Sequence, residues 1–437
     1  MHIIYIHTHD TGRYIEPYGY GIKTPRLMAL AKEGTLFRHA YCASPSCSAS
    51  RSALLTGMTP HSNGMLGLAH RGFQLHDPGK HLSNVLADQG YTTVLCGIQH
   101  ESSDVSLLGY GTILHDRRTG SLEDWDRNNA ERAARYLRDY AAKDNAGPLF
   151  LSFGLGCTHR EFPVHHAVNP NYVLPPLPMY DCAVNRADAA AFAASAAVAD
   201  ECIGTVLDAL EDSGLADNAM IFFTTDHGIA FPLMKSSLYD TGIGVSLIVK
   251  YPGNRMAGRA TDALVSQLDL FPTVCDYAGI AKPEWLQGTT LMPLLEGAVS
   301  SVRKELYAEL NFHAAKEPMR CVRTERFKLI RRYEPAPHPL PANTDDGPSK
   351  DFLIEAGWLN QQPAQEMLFD LYLDPMERNN LYTDPRYAAI REDLTRRLER
   401  WMLETGDPLI EGALIAPPGA RVNKRSSRSP RDRDFEA

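Results

Sequence analysis

The sequence predicts an α/β protein: a large, mainly parallel sheet sandwiched by helices, followed by a smaller C-terminal α+β domain. Two observations carry this. From residue 1 to about residue 300, short apolar runs alternate with helical stretches, and repeated βα units of that kind build parallel sheets. Beyond that point the texture changes to antiparallel strand patterns, a Pro-rich loop and one amphipathic helix. A chain of 437 residues, 44% of them hydrophobic, can bury one large core and a smaller second one. The predicted division is 1–300, 301–415 and a tail at 416–437.

In chain order, residues 2–6 read as a buried strand. Thr24 and Pro25 open a helix, as N-cap and first turn, and Gly34 closes it. A helix over 80–89 ends at Gly90 and leads into a strand over 91–96. A charged amphipathic helix covers 122–143, and 148–153 is the next apolar strand. The Ala-rich segment 187–210 is a long helix, with strands at 219–225 and 245–251 after it. In the second part, 321–333 reads as two short antiparallel strands with 323–328 at their turn. Residues 334–348 form a loop, 367–372 a strand and 387–404 an amphipathic helix. The tail from Arg421 is rich in Arg, Ser and Asp with almost nothing apolar, and is expected to be disordered.

The bulk numbers exclude some classes. A net charge of -9 and a pI near 6.0 argue against a nucleic-acid binder, which normally carries a basic face. No stretch approaches the roughly 20 apolar residues of a membrane span, so no membrane association is expected. Residues 1–6 run straight into a strand pattern without a basic leader or cleavage site, which suggests a cytoplasmic protein or a chain whose leader has been removed. The eight cysteines are scattered without a CxxC pair, as expected of buried thiols in a reducing compartment. Cys47 is set apart from the other seven by its surroundings.

Cys47 opens the stretch Cys47-Ser48-Ala49-Ser50-Arg51-Ser52-Ala53-Leu54-Leu55-Thr56-Gly57. The preceding Ser44-Pro45-Ser46 reads as a turn, which places Cys47 at a helix N-terminus where free N–H groups favour an anion. Arg51 lies one turn further on the same face and offers a planar cation to an oxyanion. Two acidic pairs follow strands at their C-terminal ends, where open α/β sheets bind ligands: His9-Asp10 after the first strand and Asp226-His227 after strand 219–225. His100 follows strand 91–96, His159 follows strand 148–153, and Lys235 lies just beyond the second acidic pair. His7 alternates with His9 along its strand and is read as supporting it from behind.

The Cys47–Gly57 stretch resembles the sulfatase signature, Cys (or Ser)-x-Pro-x-Arg followed by a Leu-Thr-Gly turn, with Ala49 where Pro is usual. The resemblance implies an alkaline-phosphatase-like fold and oxidation of Cys47 to formylglycine by a maturing enzyme. The hydrated aldehyde would then attack the sulfur of a sulfate ester or sulfamate. Carried over by position, the metal ligands are His9, Asp10, Cys47 as formylglycine, Asp226 and His227. Sulfatases use calcium there, but two imidazoles in the set favour manganese, iron or zinc. The resemblance further gives Arg51 and Lys235 to charge stabilisation, His100 to the formylglycine or its sulfated form, and His159 to the leaving group. Ile98 stands where the family usually carries a lysine. Segments 62–68, 373–386 and 401–408 resemble the sulfamidases, which points to a sulfated small molecule or sugar as substrate, with the loop 334–350 as a wall of its pocket. The Asp226-His227 pair resembles the phosphonate monoester hydrolases, so a phosphonate monoester or phosphodiester hydrolase is the first alternative. A non-catalytic binding protein and an unmodified Cys47–His9–His227 zinc site rank below it.

Overall fold

The computed structural model describes residues 1–144, 146–412 and 414–436. Eight strands form the large sheet: β1 (His2–Thr8), β2 (Thr35–Tyr41), β3 (Thr92–Gly97), β4 (Thr112–Ile113), β5 (Leu149–Gly154), β6 (Ala219–Thr225), β7 (Leu247–Lys250) and β8 (Arg259–Ser266). Their spatial order is β4-β3-β5-β1-β6-β7-β2-β8, and every pairing is parallel except the two made by β7. The mainly parallel sheet is therefore observed. The central strands read HIIYIHT, LFLSFG and AMIFFTT and are buried almost throughout, as strands covered on both faces must be.

Helices cover both faces. On one side, α1 (Pro25–Glu33), α4 (Leu122–Ala141) and α5 (Ala183–Asp212) pack with Ile4, Ile6, Phe153 and Phe223 in one apolar cluster. On the other, α2 (Cys47–Thr56), α3 (Leu82–Asp88) and α6 (Leu270–Ala278) pack with Ile3, Tyr5, Phe150 and Phe222. Alternate residues of β1 thus feed opposite cores, as the two-residue period of a strand requires. By length and mean hydropathy α5 is apolar enough to span a membrane, and the sequence reading did not single it out. It is 72% buried within that window, and its alanines let α4 and the sheet approach closely.

Strands β2, β4 and β8 lie beyond the predicted set, as does the Glu305–Phe312 strand of the second sheet. Arg38 and His39 interrupt the apolar run of β2, and β8 begins with exposed Arg259, Ala260 and Asp262. A second sheet, antiparallel throughout, has the order β12-β11-β10-β9 and uses β9 (Glu305–Phe312), β10 (Lys316–Thr324), β11 (Phe327–Arg332) and β12 (Glu366–Asp370). One face, with Ala308, Leu310, Met319, Cys321, Ile330 and Phe369, continues the core of the large sheet. The other carries Val322, Leu329 and Leu368 against Leu394, Leu398 and Trp401 of α7 (Ala388–Thr405). Ion pairs tie the two sheets: Asp240 lies 3.0 Å from Arg323 and 2.7 Å from Lys328.

The expected disorder of the tail is corrected. Residues 421–436 lie against the body: Asn423 is fully buried, its N–H donates to Ala314 O at 2.8 Å, and Arg71 donates to its Oδ1 at 2.6 Å. Val422 joins the apolar cluster of Met65, Phe73 and Phe312. Composition alone missed this, because the segment is held by polar partners elsewhere in the chain.

Candidate active site

Strands β3, β5, β1 and β6 are neighbours and run the same way, so their C-terminal ends open on one edge of the sheet. That order sets His100, His159, His9-Asp10 and Asp226-His227 side by side. The register Thr8↔Thr225 then brings the acidic pairs together, and the N–H of Asp10 donates to Asp226 Oδ1 at 2.8 Å. Asp10 holds a left-handed backbone at φ 54°, a conformation that few side chains besides Asp and Asn adopt. Gly97, ending β3, also has positive φ, and a Cβ there would stand 1.9 Å from Gly154 O. Only glycine lets the chain turn toward His100 so close to β5.

Helix α2 starts at Cys47, as predicted from the turn before it. Its Sγ is buried and lies 3.3 Å from His227 Nε2. Arg51, one turn on and 1% exposed, donates to Thr8 O at 2.9 Å and to Asp226 Oδ2 at 3.0 Å, and also meets the ring of His7. The guanidinium therefore neutralises Asp226 from behind. Lys235 is equally buried and lies 2.8 Å from Asp10 Oδ2.

One donor atom each from His9, Asp10, Cys47 and Asp226 lie within 4.8 Å of one another. His9 Nδ1 is 2.8 Å from Asp10 Oδ1 and 3.2 Å from Asp226 Oδ2. His227 Nε2 is 3.3 Å from Asp10 Oδ1. His227 Nδ1 lies 2.9 Å from Gly228 O, which fixes the proton on Nδ1 and leaves the Nε2 lone pair facing the carboxylates. These residues fit a divalent cation: two buried carboxylates, a ring nitrogen of His9 and the group at position 47 lie close together, and His227 Nε2 stands 3.3 Å from Asp10 Oδ1 and from Cys47 Sγ.

The charges suit that role. Burial opposes ionisation of Asp10, but Lys235 and then His9 hold its carboxyl well below the ordinary range. Burial likewise opposes the charge of Asp226, and Arg51 overrides it, with His227 and His9 adding to the effect. Burial pulls His9 down to about 4, so it is a neutral imidazole at pH 7. The same burial, with Asp10 and Asp226 nearby, pushes the Cys47 thiol up despite Lys235.

His100 and His159 complete the predicted set. His100 Nδ1 is 3.1 Å from His9 Nε2, and His159 stands partly exposed with Nε2 3.9 Å from Asp10 Oδ2. All the predicted site residues thus fall into one connected cluster.

Three further residues reach it. Asp345 lies 2.7 Å from Lys235 Nζ, His313 Nδ1 is 3.0 Å from Ser46 Oγ, and buried Glu101 accepts from His100 N at 2.9 Å. Glu101 sits beside a predicted residue, so its neighbour was the signal. Asp345 belongs to the loop 334–350 that the sulfamidase resemblance offered as a pocket wall, though nothing singled out the residue itself, and His313, just past β9, carries no local signal.

Two acidic pairs at the ends of parallel strands meet Cys47, the first residue of helix α2, in a cluster with the donor set of a divalent-metal site, on an alkaline-phosphatase-like fold. Comparison with known proteins gives the family: the sulfatase family description matches residues 1–280, and the N-sulphoglucosamine sulphohydrolase C-terminal description matches 230–338. The chain belongs to the sulfatase family and is a sulfuric ester hydrolase. It is 29% identical to the N-sulphoglucosamine sulphohydrolase of Homo sapiens over 93% of this chain and 89% of that one. It is 28% identical to an ulvan-active sulfatase of Formosa agariphila, over 94% of this chain and 77% of that one. A structure solved in complex with its substrate D-glucosamine-2-N,6-O-disulfate superposes with a TM-score of 0.73 at 20% identity, covering 93% of this chain and 98% of that one.

Proposed function

We propose that this sulfatase removes sulfate, as an ester or a sulfamate, from a carbohydrate, using a formylglycine made from Cys47 by a maturing enzyme. The observation that supports this chemistry is the 3.3 Å approach of Cys47 to His227 beside the Asp10–Asp226 pair, the cluster proposed to hold the metal. The sugar is supported by the sulphoglucosamine-type relative, which is matched over nearly the full length of both chains.

A divalent metal held by His9, Asp10, Asp226 and His227 would supply positive charge to the oxygens of residue 47 and of the bound sulfate. The protein's own groups divide the remaining work. Arg51 keeps Asp226 ionised, and Lys235, buried beside Asp10, brings a cation for the sulfate oxygens. The N-terminus of α2 adds its free N–H groups at residue 47. His159, partly exposed, is placed to give a proton to the leaving atom. His100, beside His9, is placed to take a proton from residue 47 when sulfate leaves. Ile98 leaves the pocket one cation short of the family pattern, which suits a monoanion better than a phosphate dianion.

The second reading is a phosphonate monoester or phosphodiester hydrolase, favoured by the two histidines among the ligands. Relative kcat/KM on matured enzyme with manganese supplied separates the two. An aryl sulfate or N-sulfoglucosamine should be turned over faster than a phenyl phosphonate, and the reverse order would overturn the proposal.

A further inference from the structure

Asp345 places a third carboxylate in the pocket. It sits in the loop after β11, and its side chain is 13% exposed. Its Oδ2 is 2.7 Å from Lys235 Nζ, so that oxygen is held in an ion pair and the carboxylate's other oxygen is the one a ligand could reach. One carboxylate oxygen of Asp345 lies within 4.8 Å of a ring nitrogen of His159 and an oxygen of Asp10. The carboxylate therefore stands beside both Lys235, the proposed sulfate cation, and His159, the proposed proton donor.

The loop is firmly held. Asn343 accepts from the N–H groups of Ala314 and Ala315 at 3.1 and 2.7 Å and donates to Glu317 at 2.9 Å. Lys350 donates to Thr344 O at 2.9 Å and to Arg428 O at 2.7 Å, so the ordered tail braces the segment that carries Asp345. A fixed carboxylate repels anions and accepts hydrogen bonds from N–H or O–H donors. Beside a pocket built for a monoanionic sulfur group, it would discriminate on the far side of the scissile bond.

We propose that Asp345 is a specificity-determining residue that accepts a hydrogen bond from the leaving nitrogen of a sulfamate and so favours an amino sugar over a plain sulfate ester. The inference rests on the sulfatase reading above and names its substrate class. As the nucleophile oxygen bonds to sulfur, the S–N bond breaks and its electron pair stays on nitrogen, which takes a proton from His159. The nitrogen then carries two N–H bonds, as the neutral amine. The Asp345 carboxylate can accept from the N–H that the bound sulfamate already carries and from the amine that leaves, whereas the bridging oxygen of a bound sulfate ester offers it no donor.

The experiment compares wild type with Asp345→Asn and Asp345→Glu on N-sulfoglucosamine and on 4-nitrophenyl sulfate, using matured enzyme. The ratio of kcat/KM, sulfamate over aryl sulfate, should fall about tenfold or more in Asp345→Asn, the scale of one hydrogen bond to a charged group. Asp345→Glu should recover part of the ratio. A ratio within about twofold of wild type, including equal loss on both substrates, would overturn the proposal, since it would leave Asp345 only a support for Lys235. In a second arm, calorimetry on protein with unmodified Cys47 measures binding of glucosamine, which should weaken about tenfold in Asp345→Asn. No glucosamine binding to wild type, or equal binding to both, also overturns it. Failure of wild type to turn over either sulfated compound would instead strike the sulfatase reading, and the calorimetric arm would still decide the role of Asp345.

Discussion

The backbone N–H of Asp10 donates to Oδ1 of Asp226 at 2.8 Å, which locks together two carboxylates that lie more than two hundred residues apart in the chain. The bond exists because β1 and β6 pair in parallel with Thr8 opposite Thr225. It leaves Asp10 Oδ1 toward His227 and Asp226 Oδ2 toward His9, so each acidic pair presents its histidine to the other's carboxylate.

Metal binding should depend on both carboxylates. Asp10→Ala and Asp226→Ala should each abolish bound metal in elemental analysis and lower kcat/KM at least about a thousandfold. With two imidazoles among the ligands, active protein should carry manganese, iron or zinc. Active protein holding calcium alone would show that the carboxylates, not the imidazoles, set the preference.

Residue 47 should carry an aldehyde. In a host with a competent maturing system, the peptide containing Cys47 should have the mass of formylglycine in part and react with hydrazides. Cys47→Ala should abolish turnover while shifting the melting temperature little, because one small side chain at a helix start is removed. Full activity from wholly unmodified Cys47 would rule the mechanism out.

Lys235 should matter for transition-state charge more than for folding. Lys235→Ala should lower kcat/KM by about a hundredfold or more, the range seen for removing one fixed donor at a developing anion. Lys235→Arg should restore part of it. Because Asp10 and Asp345 both contact Lys235, metal content should be checked in the same samples.

Acid stability should trace to a buried network away from the site. Burial opposes the charge of Glu309, but His61 and then Arg320 hold its carboxyl at about 2 against an ordinary 4.5. A carboxylate depressed in the folded state contributes stability above its unfolded pKa, and that stability is lost as pH falls from about 4.5 to about 2. The contribution is on the order of 3 kcal/mol. Glu309→Gln should lower the melting temperature at pH 7 and flatten its decline across that acid range. Parallel curves for variant and wild type would refute the assignment.

The same network explains the sulfamidase-like segments. Arg320 donates to Asp407 at 2.9 Å, His61 packs edge-on to Trp401, and Ser62 donates to Thr405 O at 3.2 Å. Segments 62–68 and 401–408 thus lie against each other through the chain around them, and they act as scaffold between the two sheets.

The sequence by itself determined the α/β class, the central strands and the helix that starts at Cys47, and it offered the candidate site residues as expectations. Each follows from local information: a buried parallel strand must be a short apolar run, and a ligand placed just past its C-terminal end needs no other context. The tertiary structure alone decided strand order, the pairing of Asp10 with Asp226, the turning of Arg51 onto Asp226, and the arrival of Asp345 and His313 from the second sheet and its loop. It also decided that the polar tail is ordered. Those outcomes depend on contacts between residues hundreds of positions apart, and composition or periodicity within a window does not encode which distant partner will satisfy a buried charge or an exposed polar segment.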